Sequence, residues 1–140
     1  MEFVQNYLEL EKLRFGNKFI YKFQISEEVN EEFMFPRMGI QTFVENSIKH
    51  GLMHKEKDGL LVVKVSNPEK HLHIEIIDNG VGRETAEKLS YGSTHKGLEI
   101  IKQFYDLYNE IHQEKINFKI IDLYDENYKP DGTRVIINVP

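Results

Sequence analysis

The sequence predicts an α+β fold, a two-layer sandwich in which a mixed, mostly antiparallel sheet is covered on one face by helices. Two kinds of period predict it. Apolar residues recur every three to four positions in stretches of helical length, and every second position in short stretches bounded by Gly, Pro and Asn. The order of the stretches is the next observation: helix, strand, helix, two strands, short helix, long helix, two strands. Five strands need a covering layer, and three sizeable helices supply it on one face. A length of 140 residues is enough for one core without staples, so residues 1–140 are expected to form one domain, with residues 1–16 as a helical lead-in.

Phe3, Val4, Tyr7, Leu8, Leu10 and Phe15 return at helical intervals among Glu9, Glu11, Lys12 and Arg14, which predicts an amphipathic helix over 2–15. Gly16-Asn17 stops it. Phe19, Tyr21, Phe23 and Ile25 then alternate with Ile20, Lys22 and Gln24, the pattern of a strand with its aromatics on one face. The acidic run at 27–32 reads as a solvated loop, and Pro36 suits the first turn of the next helix, where its missing N–H costs nothing. In that helix Ile40, Phe43, Val44 and Ile48 share one stripe and Thr42, Glu45, Asn46 and Lys49 another, with Gly51 expected as the C′ residue that ends it. A carboxylate, a carboxamide and an ammonium on one face can converge on a polyanion and its metal ion; taken alone, the same pattern is an ordinary amphipathic helix.

After a connector at 54–59, residues 60–65 and 71–77 read as a hairpin about Asn67-Pro68. Asp78-Asn79-Gly80 has the composition of another hairpin turn, but Val81-Gly82-Arg83-Glu84 leads into a short helix through Ala86 and Leu89. A strand that enters a glycine-rich bend and then a helix places a ligand near the bend. Residues 91–96 form a polar segment with the composition of a lid, and Gly97 is expected to open a long helix carrying Leu98, Ile101, Phe104, Tyr105 and Tyr108, whose start is a potential anion site. Residues 117–124 and 133–139 read as a final strand pair joined by Lys129-Pro130-Asp131-Gly132.

Several classes fall away. There is no cysteine, hence neither a disulfide framework nor a thiolate metal site. A formal charge of −5 gives no basic face for nucleic acid, so Phe19, Tyr21 and Phe23 are read as core rather than as a base-stacking platform. Apolar runs fall short of the roughly 20 residues that span a bilayer, and the first residues lack a signal pattern, so the piece is expected to be soluble. Neither a Walker A motif nor a first-strand Gly-x-Gly-x-x-Gly occurs. His71 and His73 share a strand face but lack converging carboxylates, and are read as solvated strand histidines rather than a zinc site; Gly51 is expected to break the helix between His50 and His54.

The pairing of Glu45-Asn46-x-x-Lys49-His50-Gly51 with Asp78-Asn79-Gly80-Val81-Gly82, followed by Gly97-Leu98 and by Gly132-Thr133-Arg134-Val135, resembles the ATP-binding domain of the GHKL superfamily, which includes sensor histidine kinases, gyrase B and MutL. The blocks are similar to its N box, G1 box, G2 box and closing strand. Tyr7-Leu8-Glu9-Leu10-Glu11-Lys12-Leu13-Arg14-Phe15 resembles the segment before the ATPase domain in the LytS type of sensor histidine kinase. The resemblance implies the histidine kinase-like ATPase fold, with ATP and Mg²⁺ as cofactors. It implies Asn46 as the Mg²⁺ ligand, Glu45 as the residue orienting water or metal, Lys49 as a point charge on the phosphate tail, and His50 as a catalytic-site residue. It further implies Asp78 as the acceptor for the adenine amino group with Thr133 in support, Gly80 and Gly82 as room for base and bend, and Gly97 with Leu98 at the phosphates. A glycine expected two positions before Gly97 is replaced by His95, which leaves two readings: His95 and Lys96 stand in as side-chain cations for the backbone contacts, or the segment closes poorly.

The activity so implied is transfer of the γ-phosphoryl group of ATP to a histidine on a segment outside this chain, with a response regulator downstream. The parent is expected to be homodimeric and anchored in the inner membrane, this part being cytoplasmic, with no nucleic acid as partner. Two alternatives come from other classes: a nucleotide-binding or dimer-regulating module without turnover, and a serine kinase of the anti-sigma type.

Overall fold

In the computed structural model residues 2–29, 37–89 and 95–140 are described, and they build one five-stranded sheet with helices against a single face. The elements are α1 (Glu2–Phe15), β1 (Phe19–Ile25), α2 (Arg37–Asn46), β2 (Gly59–Ser66), β3 (Leu72–Asp78), α3 (Arg83–Leu89), α4 (His95–His112), β4 (Asn117–Tyr124) and β5 (Pro130–Val139). Strand order is β1-β2-β3-β5-β4. β1 runs parallel to β2, because two parallel strands need a crossover and α2 supplies it; the other three pairings are antiparallel. The α+β sandwich expected from the periodicities is therefore what the chain forms.

The period-2 residues Leu61, Val63 and Val65 of β2, Ile74 and Ile76 of β3, and Val135 and Ile137 of β5 are buried on one face, against Ile40, Phe43, Val44 and Ile48. Val4 and Leu8 of α1 and Ile101 and Tyr105 of α4 complete the layer. Phe118 links its halves, with ring centroids 5.1 Å from Phe43 and 5.4 Å from Tyr105. Phe19 is buried while Tyr21 and Phe23 pack at the core margin, as core aromatics do.

Five local expectations are corrected. Gly51 does not cap the central helix: α2 gives way at Asn46 to a π-helical turn, Ser47–Gly51, and then to a 3₁₀ turn, Leu52–His54, with Gly51 at φ −110° rather than in the left-handed region. The reason is that the chain must stay coiled to bury Ile48 and Leu52, both fully inaccessible. The long helix starts at His95, not at Gly97, and β5 starts at Pro130 rather than Thr133. On α1 only a narrow stripe is buried; Phe3 and Leu10, assigned to the apolar face, stand 46% and 66% exposed. His73 is not simply solvated: it is half-buried and bonded to Asn138 at 2.7 Å and to Glu75 at 3.2 Å.

Pro36, residues 30–32 of the acidic run and the expected lid at 91–94 lie outside the described residues, as do the side chains of His95 and Lys96. Among the described residues no helix is long and apolar enough to cross a membrane, and no three His, Cys, Asp or Glu side chains converge as metal ligands.

Candidate functional site

β3 ends by carrying Asp78 into the interior, where it is 2% exposed. A lone carboxylate there would be costly, and the chain surrounds it with donors. Gly80 N–H donates to Oδ1 at 2.9 Å and the Thr133 hydroxyl to Oδ2 at 2.6 Å, while the Ser47 hydroxyl and the Thr133 backbone N–H also reach it. Burial outweighs these bonds and pushes the Asp78 carboxyl above the ordinary carboxylate value. Asp78 and Thr133 are direct partners across β3 and β5, so strand register itself sets that hydrogen bond.

The bend after Asp78 is held by its neighbours. Asn79 is structural: its side chain accepts from Leu60 N–H at 2.7 Å and donates to the Asp58 carbonyl at 3.0 Å, tying the bend to the start of β2. Gly80 and Gly51 cross backbone to backbone; a Cβ on Gly80 would lie 2.4 Å from the Gly51 Cα. Val81 N–H donates to the Gly51 carbonyl at 3.3 Å, closing the crossing. Without side chains at both positions the π-helical turn can rest on the bend, which brings Ser47 onto Asp78 and sets Asn46 and His50 on the same side. A single π turn inside a helix is a recurrent device at functional sites, because it re-aims the side chains that follow it.

The result is a pocket of about 80 Å³ between the π turn, the bend, the start of α3, the start of α4 and strands β4 and β5. Its apolar walls are Phe43, Ala86, Leu98, Ile120 and Val135; its polar groups are Asn46, Ser47, His50, Asp78, Arg83 and Thr133. Burial, with the nearby charges of His54 and Lys49, pushes the His50 imidazole below its usual range, which favours a neutral ring in the wall. That His54 acts on His50 follows from the coil continuing through Gly51. A pocket with apolar walls and one buried carboxylate acceptor at its floor suits a heterocycle bearing an amino group.

Of the residues singled out in the sequence, Asn46, His50, Asp78, Gly82, Leu98 and Thr133 line this pocket. Gly80 supports it from behind through Gly51 and Asp78. Glu45 and Lys49 are not among its lining residues: Glu45 accepts from Gln41 Nε2 at 2.9 Å, and Lys49 is exposed. His95, Lys96 and Gly97 fall in the first turn of α4, and the roles expected of the two cations rest on side chains outside the described structure. Sequence reasoning missed Ser47, Arg83, Asp122 and the close-approach role of Gly51. Nothing local marks Ser47, and the bidentate pair of Arg83 with Asp122, Nε–Oδ1 2.7 Å and Nη2–Oδ2 2.8 Å, spans 39 positions. Gly132 carried a signal, a glycine just before Thr133: its φ is +102°, and a Cβ there would lie 1.9 Å from the Asp78 carbonyl oxygen.

No family model matches the chain. Individual relatives do. The sensor protein LytS of Enterococcus faecalis is 35% identical over 94 residues, 67% of this chain and 16% of that protein. LytS of Bacillus cereus is 30% identical over 148 aligned positions that take in 98% of this chain and 23% of that protein. The chain thus spans about a quarter or less of the length of these two LytS relatives. Among solved structures, the mycobacterial sensor histidine kinase MprB superimposes with a TM-score of 0.61 at 20% identity, covering 99% of this chain and 92% of that one. The catalytic domain of the histidine kinase ThkA gives 0.60 at 19% identity, covering 99% and 89%. These likenesses carry the fold, and the identities to LytS carry the lineage: the chain belongs to the LytS family of sensor proteins and has the fold of a histidine kinase catalytic domain.

Proposed function

We propose that this chain binds Mg²⁺-ATP and acts as the catalytic domain of a two-component sensor kinase, presenting the γ-phosphoryl group to a histidine outside the chain. The observation that carries the reading is the floor of the pocket, where Asp78 is buried among Thr133, Gly80 and Ser47 beneath apolar walls. The residues present fit the ligand. The Asp78 carboxylate accepts an exocyclic amine, Thr133 holds a rotatable hydroxyl beside it, and the Gly51–Gly80 crossing leaves the slot free of side chains at its back. Asn46 offers one hard oxygen at the pocket wall, which suits a cation that takes its remaining ligands from phosphate and water. Mg²⁺, when bound, neutralises phosphate charge; the chain's own share is to orient and to exclude water.

In this reading Lys49, His95 and Lys96 supply positive charge toward the phosphate tail, with Gly97 and Leu98 at the start of α4, and Glu45 exchanges Gln41 for water or metal. The 140 residues act as one domain, with residues 1–16 leading into it. The wider assignments follow the same lineage: a homodimeric parent anchored in the membrane, this part on the cytoplasmic side, and a response regulator as final acceptor. A domain that binds nucleotide without turnover is the second reading, favoured by the engagement of Glu45 with Gln41 rather than with the pocket.

Thermal shift with ADP and ATP, each with and without Mg²⁺, tests the proposal. Stabilisation by both nucleotides, enhanced by the metal, is expected; a midpoint indifferent to millimolar nucleotide refutes it. Incubation with γ-labelled ATP and the phosphoacceptor segment of a LytS-type kinase separates the two readings, since only the first yields acid-labile phosphate on that segment.

A further inference from the structure

We propose that Arg83 and Asp122 form a clasp that closes the rim of the pocket and fixes its base-binding end, Arg83 serving as a specificity-determining wall and Asp122 as its positioning partner. The inference rests on the nucleotide reading and adds two residues that the motifs do not contain. Register places Asp78, Thr133 and Asp122 in one rung across β3, β5 and β4. Paired residues share a face, so two carboxylates flank Thr133 on the helix-covered side of the sheet. Asp78 is the buried floor; Asp122 lies at the rim, with its side chain 38% exposed.

What faces Asp122 is decided by the bend. Gly82 has φ +84°, and a Cβ there would lie 2.9 Å from the Pro130 Cβ, so the bend lies flat on the start of β5. The next residue, Arg83, is thereby aimed across β5 to β4, where its guanidinium meets Asp122 through two parallel N–H donors at 2.7 and 2.8 Å. The fork raises the guanidinium pKa and holds the Asp122 carboxyl below the usual carboxylate range. Arg83 also lines the pocket with Ala86 and Ile120, so its alkyl stem extends the apolar wall while its head is pinned at the mouth.

An ion pair this exposed contributes little to stability by itself. Its geometry is another matter, because it ties α3 to β4 beside the pocket that Arg83 lines. It also keeps Asp122 neutralised beside a pocket that must admit a polyanion. Losing Arg83 would both unpin the wall and leave a bare carboxylate at the mouth.

The test is ADP affinity without Mg²⁺, measured by calorimetry on the 140-residue chain, for wild type, Arg83→Gln, Asp122→Asn, the double variant and Arg83→Lys, with Asp78→Asn as a control on the nucleotide reading. Each single variant is expected to keep its fold and lose roughly tenfold in affinity, the double to lose no more than the worse single, and Arg83→Lys to stay weak because an ammonium cannot make the fork. Single variants within about twofold of wild type overturn the clasp, as do losses that multiply in the double variant or full affinity in Arg83→Lys. If wild type binds ADP and Asp78→Asn does not while Arg83→Gln binds normally, the clasp alone fails. If folded wild type does not bind ADP, the nucleotide reading fails and takes the clasp with it.

Discussion

Asp78 and Glu75 stand three residues apart on one strand, on opposite faces, and burial has opposite outcomes for them. For Asp78 desolvation wins and its folded pKa lies above the unfolded one, so the folded chain holds the extra proton and stability falls as pH rises through that window. For Glu75 burial also pushes upward, but hydrogen bonds from Arg134 and His73 and their charges hold it below its ordinary value. Its contribution is present above the unfolded pKa and fades as pH falls. Relative to wild type, Asp78→Asn should therefore gain stability as pH rises from about 3.5 to 7, and Glu75→Gln should lose it. Urea midpoints across that range check both, and slopes of the same sign would contradict the pairing. Asp78→Asn should at the same time weaken adenine nucleotides roughly 10- to 150-fold, with or without Mg²⁺, since a hydrogen bond to a charged acceptor contributes about 1.5 to 3 kcal/mol. Asn46→Ala should remove only the Mg²⁺-dependent increment and leave metal-free ADP binding nearly intact; calorimetry with and without the metal distinguishes the two.

At the scale of elements, the site is a crossing of two backbones, and glycines there are sorted by what surrounds them. Gly80→Ala would press a methyl group into the Gly51 backbone and is expected to cost about 3 kcal/mol, because neither side is a side chain that can turn away. Gly132→Ala combines a left-handed φ with a 1.9 Å approach to the Asp78 carbonyl oxygen and should prevent the β5 register from forming. Gly16 also has positive φ, +63°, yet has nothing within 4 Å, so Gly16→Ala should cost only about 1 kcal/mol. Chemical denaturation of the three variants gives the order; equal losses at positions 16 and 80 would show that the crossing is looser than its geometry. α1 touches the same region, since Tyr7 lies close enough to Glu45 for that carboxylate, after burial and Glu11, to help push its hydroxyl up to about 12. The helix leading into the fold is thus packed on the helix that carries Asn46.

For the whole molecule, ligand and fold are linked by mass action. ATP at about 100 times its dissociation constant should stabilise the chain by about 2.7 kcal/mol, a rise of roughly 10 °C in the melting midpoint for a domain of this size. Asp78→Asn should lose about half or more of that shift at the same ATP concentration, read against its own ligand-free midpoint, which differential scanning fluorimetry can resolve.

The sequence by itself determined the strands and helices, because period 2 and period 3.6 are local and the apolar stripes it marked on α2, α4 and the strands face the core, with Ile25 at the end of β1 left 43% exposed. It also marked Asn46, Asp78 and Thr133, which the fold brings to one pocket, since motifs of short range carry their own order. Only the tertiary structure decided the rest. The π turn arises because Ile48 and Leu52 must stay in the core while Ser47 meets Asp78, a compromise between packing and a distant carboxylate that no local pattern encodes. Gly51 looks like a helix stop along the chain; in space it is the bed on which Gly80 rests. Arg83 and Asp122 carry no signal as single residues, because a salt bridge between a bend and a strand 39 positions away exists only once β3, β5 and β4 have come into register.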